Sequence, residues 1–318
     1  MDISVAIDRL LGGVTSEDEQ YNIIAIINDE IYTEGVLAEL AQCFRKLAIT
    51  VDNPYEDTID IVGTGGDGCN TLNYSTLTAL AVHELGIHVA KHGNRSATGK
   101  CGSFDFLERL KISIPETVAA AESQLKSNGF TFLFAPFFHP VFAKVAAVRK
   151  RFAAEGKRTF FNVLGPLLNP AKVKRMVVGV YDKKLLTPYA FALNQLGITH
   201  AYIVYGDGLD EFSVCGVNEI IKLEDGVISE FMLHPEQLGF IRSKIDYLQA
   251  GDSFQNFEES QALLNNELLG PKQDMFILNL AMAYQVGRGF SMSMEEAVSK
   301  VRTAISSGGF STLLTAAG

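Results

Sequence analysis

A short apolar run with strand character, Thr58 to Val62, ends in Gly63-Thr64-Gly65-Gly66-Asp67-Gly68, so four glycines fall within six positions. Asn70, Thr71, Asn73, Ser75 and Thr76 follow, and only then does a helical stretch begin. Glycines at a strand's C-terminal end let the backbone turn sharply and bring N–H groups close to a ligand. The hydroxyls, amides and carboxylate beside them suit a metal-bound phosphate. A chain carrying this unit must therefore present the end of a strand to a ligand cleft. Strand and helix patterns alternate from Thr58 onward, with strand candidates at 58–62, 87–90, 130–135, 175–180 and 201–205. That alternation predicts an α/β fold with a mainly parallel sheet and helices on its faces.

Two nucleotide motifs can be tested against the first loop. Gly63, Gly65 and Gly68 satisfy G-x-G-x-x-G, but a dinucleotide fold needs a helix opening among the glycines and an acid ending the next strand. Here a polar segment intervenes, and the strand Ile87 to Ala90 runs into the basic Lys91 and His92. A Walker A loop needs Lys and Ser or Thr after Gly68, where Cys69 and Asn70 stand. Neither motif holds.

A second loop, Lys91 to Ser103, also follows a strand and precedes a helix (Phe104 to Leu110), and it supplies Lys91, Arg95 and Lys100 among glycines and hydroxyls. One such loop is ordinary surface turn chemistry; two at successive strand ends point to phosphate. Farther on, Gly206-Asp207-Gly208-Leu209-Asp210-Glu211 follows the strand 201–205. Alone it reads as a solvated Asp-Gly turn. Beside the two loops, Asp210 and Glu211 read as a Mg²⁺ holder, because magnesium takes one or two carboxylates and shares its other positions with water and phosphate.

Elsewhere the reading is structural. The first fifty residues look helical: Ser16 and Glu19 have capping-box spacing before Ile23, Ile24, Ile26 and Ile27, and Val36, Leu37, Leu40 and Phe44 recur at helical spacing. Pro115 opens a helix to about Ser127 with Gly129 as its stop, and Phe138 to Ala154 reads as one further helix. Asp225-Gly226 between two alternating runs predicts a hairpin. The tail from Gln273 is helical, capped by Ser293 and Glu296, with Gly308 as a stop. At 318 residues the chain is long enough for two domains. A net charge of −10 argues against a nucleic-acid partner or an acidic membrane surface. Cys43, Cys69, Cys101 and Cys215 show neither metal spacing nor disulfide density, and no leader or membrane span is legible, so a cytoplasmic protein is expected.

Gly63–Gly68, Asn73–Thr76, Lys91–Ser96, Gly102–Ser103, Phe134–Pro140, Arg149, Arg158–Pro170 (RTFFNVLGPLLNP) and Gly206–Glu211, taken together and in this order, resemble the anthranilate phosphoribosyltransferases. The resemblance implies a small helical domain (1–55, with a further segment about 116–158) and a large α/β domain (56–115 and 159–318) with a mainly parallel central sheet. It also implies an active site in the cleft between them and a homodimer. The implied reaction moves phosphoribose from phosphoribosyl pyrophosphate (PRPP) to the amine of anthranilate, with Mg²⁺.

By the same resemblance Gly63, Gly66, Asp67, Thr71, Asn73, Tyr74, Ser75, Thr76, Lys91 and Ser103 bind PRPP. Gly63, Asn94 and Arg149 bind anthranilate, the Arg149 guanidinium pairing with its carboxylate. Ser75 ligates one Mg²⁺, and Asp210 with Glu211 holds a second. No general base is assigned; His92 is the nearest candidate, and its alternative role is to orient its loop. His139-Pro140 and Gly165-Pro166 shape the acceptor channel. The chain departs from the family pattern at Thr98-Gly99, at Tyr74, in a short insertion near Ala153-Ala154-Glu155, and in a shorter N-terminal region. Two rivals share the scaffold: a nucleoside phosphorylase, disfavoured by the paired Asp210-Glu211, and a non-catalytic nucleic-acid binder, disfavoured by the acidic charge.

Overall fold

The computed structural model describes residues 2–13, 15–94, 103–308 and 310. Three N-terminal helices, α1 (Ile3–Leu11), α2 (Glu17–Glu30) and α3 (Val36–Lys46), precede the first strand. As the spacing predicts, the Ser16 hydroxyl caps α2 by accepting from the Glu19 N–H at 3.3 Å. The strands are β1 (Ile59–Gly63), β2 (Val89–Gly93), β3 (Phe130–Phe134), β4 (Arg175–Gly179), β5 (His200–Gly206), β6 (Asn218–Glu224) and β7 (Val227–Leu233). Among the described residues they form a seven-stranded sheet in the order β3-β2-β1-β4-β5-β6-β7. β1 to β5 run parallel, and β6 and β7 are added antiparallel at one edge. Asp225 (φ 47°) and Gly226 (φ 84°) both take the left-handed conformation that a tight hairpin of this hand requires.

The remaining helices cover both faces: α4 (Tyr74–Glu84), α5 (Ser103–Arg109), α6 (Val118–Asn128), α7 (Ala135–Phe138), α8 (Ala146–Ala154), α9 (Phe161–Leu164), α10 (Leu186–Gln195), α11 (Ser253–Leu264), α12 (Pro271–Gly287) and α13 (Met294–Ser306). Side chains alternate across the strands, so each strand feeds two cores. Met176, Val178, Ala201 and Ile203 pack with α1, α2, α3 and α10. Val177, Tyr202 and Val204 pack with α4, α12 and α13.

The single helix expected over Phe138 to Ala154 is instead broken into α7, a 3₁₀ turn (Pro140–Val145) and α8. Pro140 lacks an N–H and excludes the helical region for the residue before it; His139 sits at φ −128°, ψ 61°. The helix expected from Pro115 starts at Val118, because the Thr117 side chain caps it. It stops at Gly129, as expected (φ 73°).

The chain moves outward from β1 through β2 to β3, then returns to place β4 on the other side of β1. That reversal opens a crevice beyond the C-terminal ends of β1 and β4, where parallel sheets bind ligands.

Candidate active site

Gly63 and Gly179 are register partners at the ends of β1 and β4, and Gly206 ends β5. The acidic loop after β5 lies across all three. A Cβ on Gly179 would stand 1.5 Å from the Asp210 carbonyl oxygen, one on Gly63 would stand 2.2 Å from Asp210 Oδ2, and one on Gly206 would stand 2.1 Å from the Glu211 carbonyl oxygen. The three strand ends thus form a seat that only side-chain-free residues permit. Asp210 Oδ2 accepts from the Gly65 N–H at 2.5 Å, which binds the acidic loop to the glycine loop. The other side of that loop is tied to β4, where Thr64 N–H donates to the Gly179 carbonyl at 3.0 Å and the Thr64 hydroxyl accepts from Tyr181 N–H at 3.1 Å.

The electrostatics of this seat are unfavourable without a cation. Burial, then the charge of Asp67, pushes Asp210 up to about 7. Burial, then Asp210 and Asp67, holds Glu211 well above the usual carboxylate range, and its buried Oε2 has no hydrogen-bond partner. An orphaned buried carboxylate oxygen beside two more carboxylates fits a divalent cation. Among the described residues no three His, Cys, Asp or Glu side chains stand close enough to hold a metal by themselves. Mg²⁺ needs fewer protein donors, because it completes its shell with water and phosphate oxygens. Lys91, on β2 beside β1, is buried, with Nζ donating to the Ile61 carbonyl at 2.7 Å. Burial lowers its pKa, while Asp60 and Glu211 act the other way.

The polar patch of the first loop divides into two uses. Asn73 is the N-cap of α4: its Oδ1 accepts from Thr76 N–H at 3.2 Å and from the Ser75 hydroxyl at 3.3 Å. The Ser75 N–H faces Glu211, so the helix start and the acidic pair converge. Asn70 instead spends its amide on the carbonyls of Ala250 and Gly251, at 2.7 and 3.2 Å. Its own carbonyl accepts from Ala250 N–H, and Thr71 bridges Gln249. These contacts clasp the loop to the 249–251 segment. The Tyr74 ring is buried, its hydroxyl donating to the Lys272 carbonyl, and Thr76 Oγ1 is buried too. Ser103 opens α5, and residues 95–102 with the Thr98-Gly99 departure lie outside the described residues.

Next to the seat is a cavity of about 640 Å³ whose wall includes Gly63, Asn94, His139, Arg149 and Pro166. The three residues expected to bind the acceptor therefore share one space. The Arg149 guanidinium lies 5.1 Å from the Phe161 ring centroid and 5.9 Å from that of Phe142, and no carboxylate pairs with it among the described residues. Burial lowers its pKa. The insertion near Ala153 falls in the turn that ends α8. Glu155 accepts from the Tyr21 hydroxyl at 2.6 Å and pairs with Lys157 at 2.8 Å, while Arg151 pairs with Asp18 at 2.6 Å. These contacts fasten the longer turn to α2.

His92 and His139 face each other with ring centroids 5.1 Å apart. Burial pushes His92 down to about 3 and His139 to about 4. Both rings are neutral at pH 7, and His92 is a weak base there. The backbone N–H of His92 donates to Asp60 at 3.3 Å, and Asp60 also accepts from Asn169 Nδ2 at 2.7 Å. Burial raises Asp60 to about 6, against the attraction of Lys91. Asp60, Asn169, Gly179 and Gly206 were not predicted as site residues. A glycine ending an apolar strand was the available signal for the last two.

Residues 55–310 match the model of the glycosyl transferase family a/b domain. The chain is 44% identical over 250 residues to an anthranilate phosphoribosyltransferase of Methanosarcina acetivorans, an alignment covering 79% of this chain and 66% of that protein. With the Geobacillus sp. anthranilate phosphoribosyltransferase it shares 37% over 303 residues, covering 93% and 88% of the two chains. The crystal structure of the anthranilate phosphoribosyltransferase from Thermus thermophilus superposes with a TM-score of 0.88 at 33% identity, covering 99% and 93%. That of the Saccharomyces cerevisiae enzyme in complex with PRPP and Mg gives 0.82 at 28% identity, covering 98% and 89%. Matched over most of its length by the family model and by relatives at 37% and 44% identity, the chain belongs to the anthranilate phosphoribosyltransferase family.

Proposed function

We propose that this chain transfers the phosphoribosyl group of PRPP to the amine of anthranilate, releasing pyrophosphate, in tryptophan biosynthesis. The observation that carries the reading is the glycine seat, which sets Asp210 and Glu211 over the phosphate loop and beside the Arg149 cavity. In this reading Gly63–Asp67 and the start of α4 receive the diphosphate, and Lys91 supports the loop from β2. Arg149 takes the anthranilate carboxylate and thereby aims the amine at the anomeric carbon. Ser75 would hold one Mg²⁺ and Asp210 with Glu211 a second, and the metal would neutralise charge gathering on the leaving diphosphate.

As the C–O bond to the diphosphate breaks, the anomeric carbon acquires oxocarbenium character, the amine nitrogen adds to it, and the acidic proton of the resulting N-alkylanilinium passes to solvent. An aromatic amine is neutral at pH 7, so alignment and charge stabilisation carry the step without a strong base. The low basicity of His92 and His139 is consistent with that.

The same proposal includes a helical unit (1–55 with about 116–158) and an α/β unit (56–115 and 159–318), acting as a cytoplasmic homodimer. Val5 and Ile26 on the N-terminal helices, with Tyr32 and Leu47 in the turns that follow α2 and α3, expose apolar surface that a second copy would cover. No described helix is long and apolar enough to cross a membrane. The test is to mix chain, PRPP, Mg²⁺ and anthranilate and follow loss of anthranilate fluorescence, with an EDTA control. Metal-dependent loss is expected; unchanged fluorescence would overturn the reading.

A further inference from the structure

On the open side of the phosphate loop stands an arginine to which neither the family resemblance nor the seat assigns a role. Arg158 Nη2 donates to the Gly66 carbonyl. Its guanidinium lies 4.0 Å from the Tyr181 ring centroid, within cation–π range. Tyr181 is itself bound to the loop through Thr64. The backbone on both sides of Arg158 is gripped by one side chain of α2: Asn28 Nδ2 donates to the Arg158 carbonyl at 3.3 Å, and Asn28 Oδ1 accepts from Phe160 N–H at 2.6 Å. Gly66 has φ 83°, and a Cβ there would come within 3.3 Å of the guanidinium. The arginine and the glycine loop are thus fitted to each other.

What this arginine lacks is an anion. It is exposed, and among the described residues no carboxylate pairs with it; a peptide carbonyl takes one of its five donors. The site below it holds Asp67, Asp210 and Glu211 against Lys91, whose ammonium is buried and committed to the Ile61 carbonyl. A diphosphate entering there brings further negative charge, and the ammonium of Lys91 is already committed, so a cation on the open side of the loop has an anion to meet. A planar guanidinium can take two phosphate oxygens at once, which is a stronger bond than one to a carbonyl.

We infer that Arg158 binds the diphosphate of PRPP, exchanging the Gly66 carbonyl for phosphate oxygens, with Tyr181 and Asn28 as its positioning residues. The inference rests on the PRPP reading above. It places a donor-binding cation on the segment that also carries the acceptor-binding Arg149, so one stretch of chain after α7 serves both substrates.

The test is calorimetric titration of the Mg²⁺-loaded chain with inorganic pyrophosphate and with PRPP, for the unaltered protein and for Arg158→Ala, Arg158→Gln and Arg158→Lys. Gln can still donate to the Gly66 carbonyl but carries no charge. Ala and Gln are therefore expected to weaken both ligands alike, by about 10- to 150-fold, the loss for one charged hydrogen-bonded contact. Lys should restore part of the affinity, and added salt should narrow the gap. The KM for anthranilate should stay within about twofold. If Arg158→Gln binds as the unaltered chain does, the guanidinium only braces the loop and the inference falls. If the unaltered chain binds neither ligand, the proposed function falls with it.

Discussion

Replacing Gly179 by Ala tests the seat directly, because it adds one methyl group where the Asp210 backbone lies. The new Cβ would stand 1.5 Å from the Asp210 carbonyl oxygen, and ordinary contact begins at 3.4 Å, so that carbonyl must retreat by about 1.9 Å (3.4 − 1.5). The obstacle is backbone rather than a flexible side-chain end, and Asp210 Oδ2 is held by Gly65 N–H, so the acidic loop must move as a unit. Overpacking of this kind costs about 1–3 kcal/mol. The resulting drop in melting temperature should be a few degrees for a chain of this size. The catalytic effect should be much larger, since a misplacement of about 1 Å at a reacting centre costs on the order of 100-fold. The assay is initial-rate loss of anthranilate fluorescence at saturating PRPP across a Mg²⁺ titration. Expected are a kcat lowered by about 100-fold or more and a Mg²⁺ requirement shifted to higher concentration. Gly86→Ala is the control: its φ of 83° imposes strain, yet a Cβ there meets nothing within 4 Å and the turn is remote from the seat. It should lose stability while keeping kcat. A Gly179→Ala enzyme with kcat within about threefold of the unaltered chain and the same Mg²⁺ dependence would refute the seat.

Asp210→Asn should raise the melting temperature of the metal-free chain more at pH 8 than at pH 5, and should abolish turnover at both. Asp210 is pushed up to about 7 when folded, so the penalty for ionising it starts above its unfolded value near 4 and is complete only above 7. An equal gain at the two pH values, or retained turnover, would contradict this. Arg149→Ala should raise KM for anthranilate by about tenfold or more, and KM for PRPP far less. The opposite ordering in steady-state kinetics would remove Arg149 from the acceptor cavity. Asn70→Ala deletes the two bonds to the Ala250 and Gly251 carbonyls and should cost about 1–2 kcal/mol in chemical denaturation, with a raised KM for PRPP. Unchanged stability would mean that the clasp is idle.

Much of this protein was legible before its structure. Strands end where glycines or polar residues interrupt an apolar run, and that signal is local, so β1 to β5 lie within a few residues of their expected places. The hairpin turn at Asp225-Gly226 and the caps at Ser16 and Ser293 are equally local. The one long helix expected over 138–154 failed for a reason also present in the sequence, a proline whose effect on His139 outweighed the apolar periodicity around it. Asn70 was grouped with the ligand-binding polar residues, and nothing near it in sequence shows that its amide is spent on a segment 180 residues away.

The chain's residue types and their order made a polar glycine loop, a basic strand end and an acidic pair legible, while Arg149 read as an acceptor residue only through the family resemblance. Turn chemistry and charge are properties of short stretches. Only the folded sheet decided where they meet. Pairing β4 with β1 in parallel register brings Gly179 beside Gly63, and the absence of two Cβ atoms there lets Asp210 reach Gly65 across 145 positions of chain. No local pattern encodes a vacancy shared by three strand ends, since it exists only once the strands lie side by side.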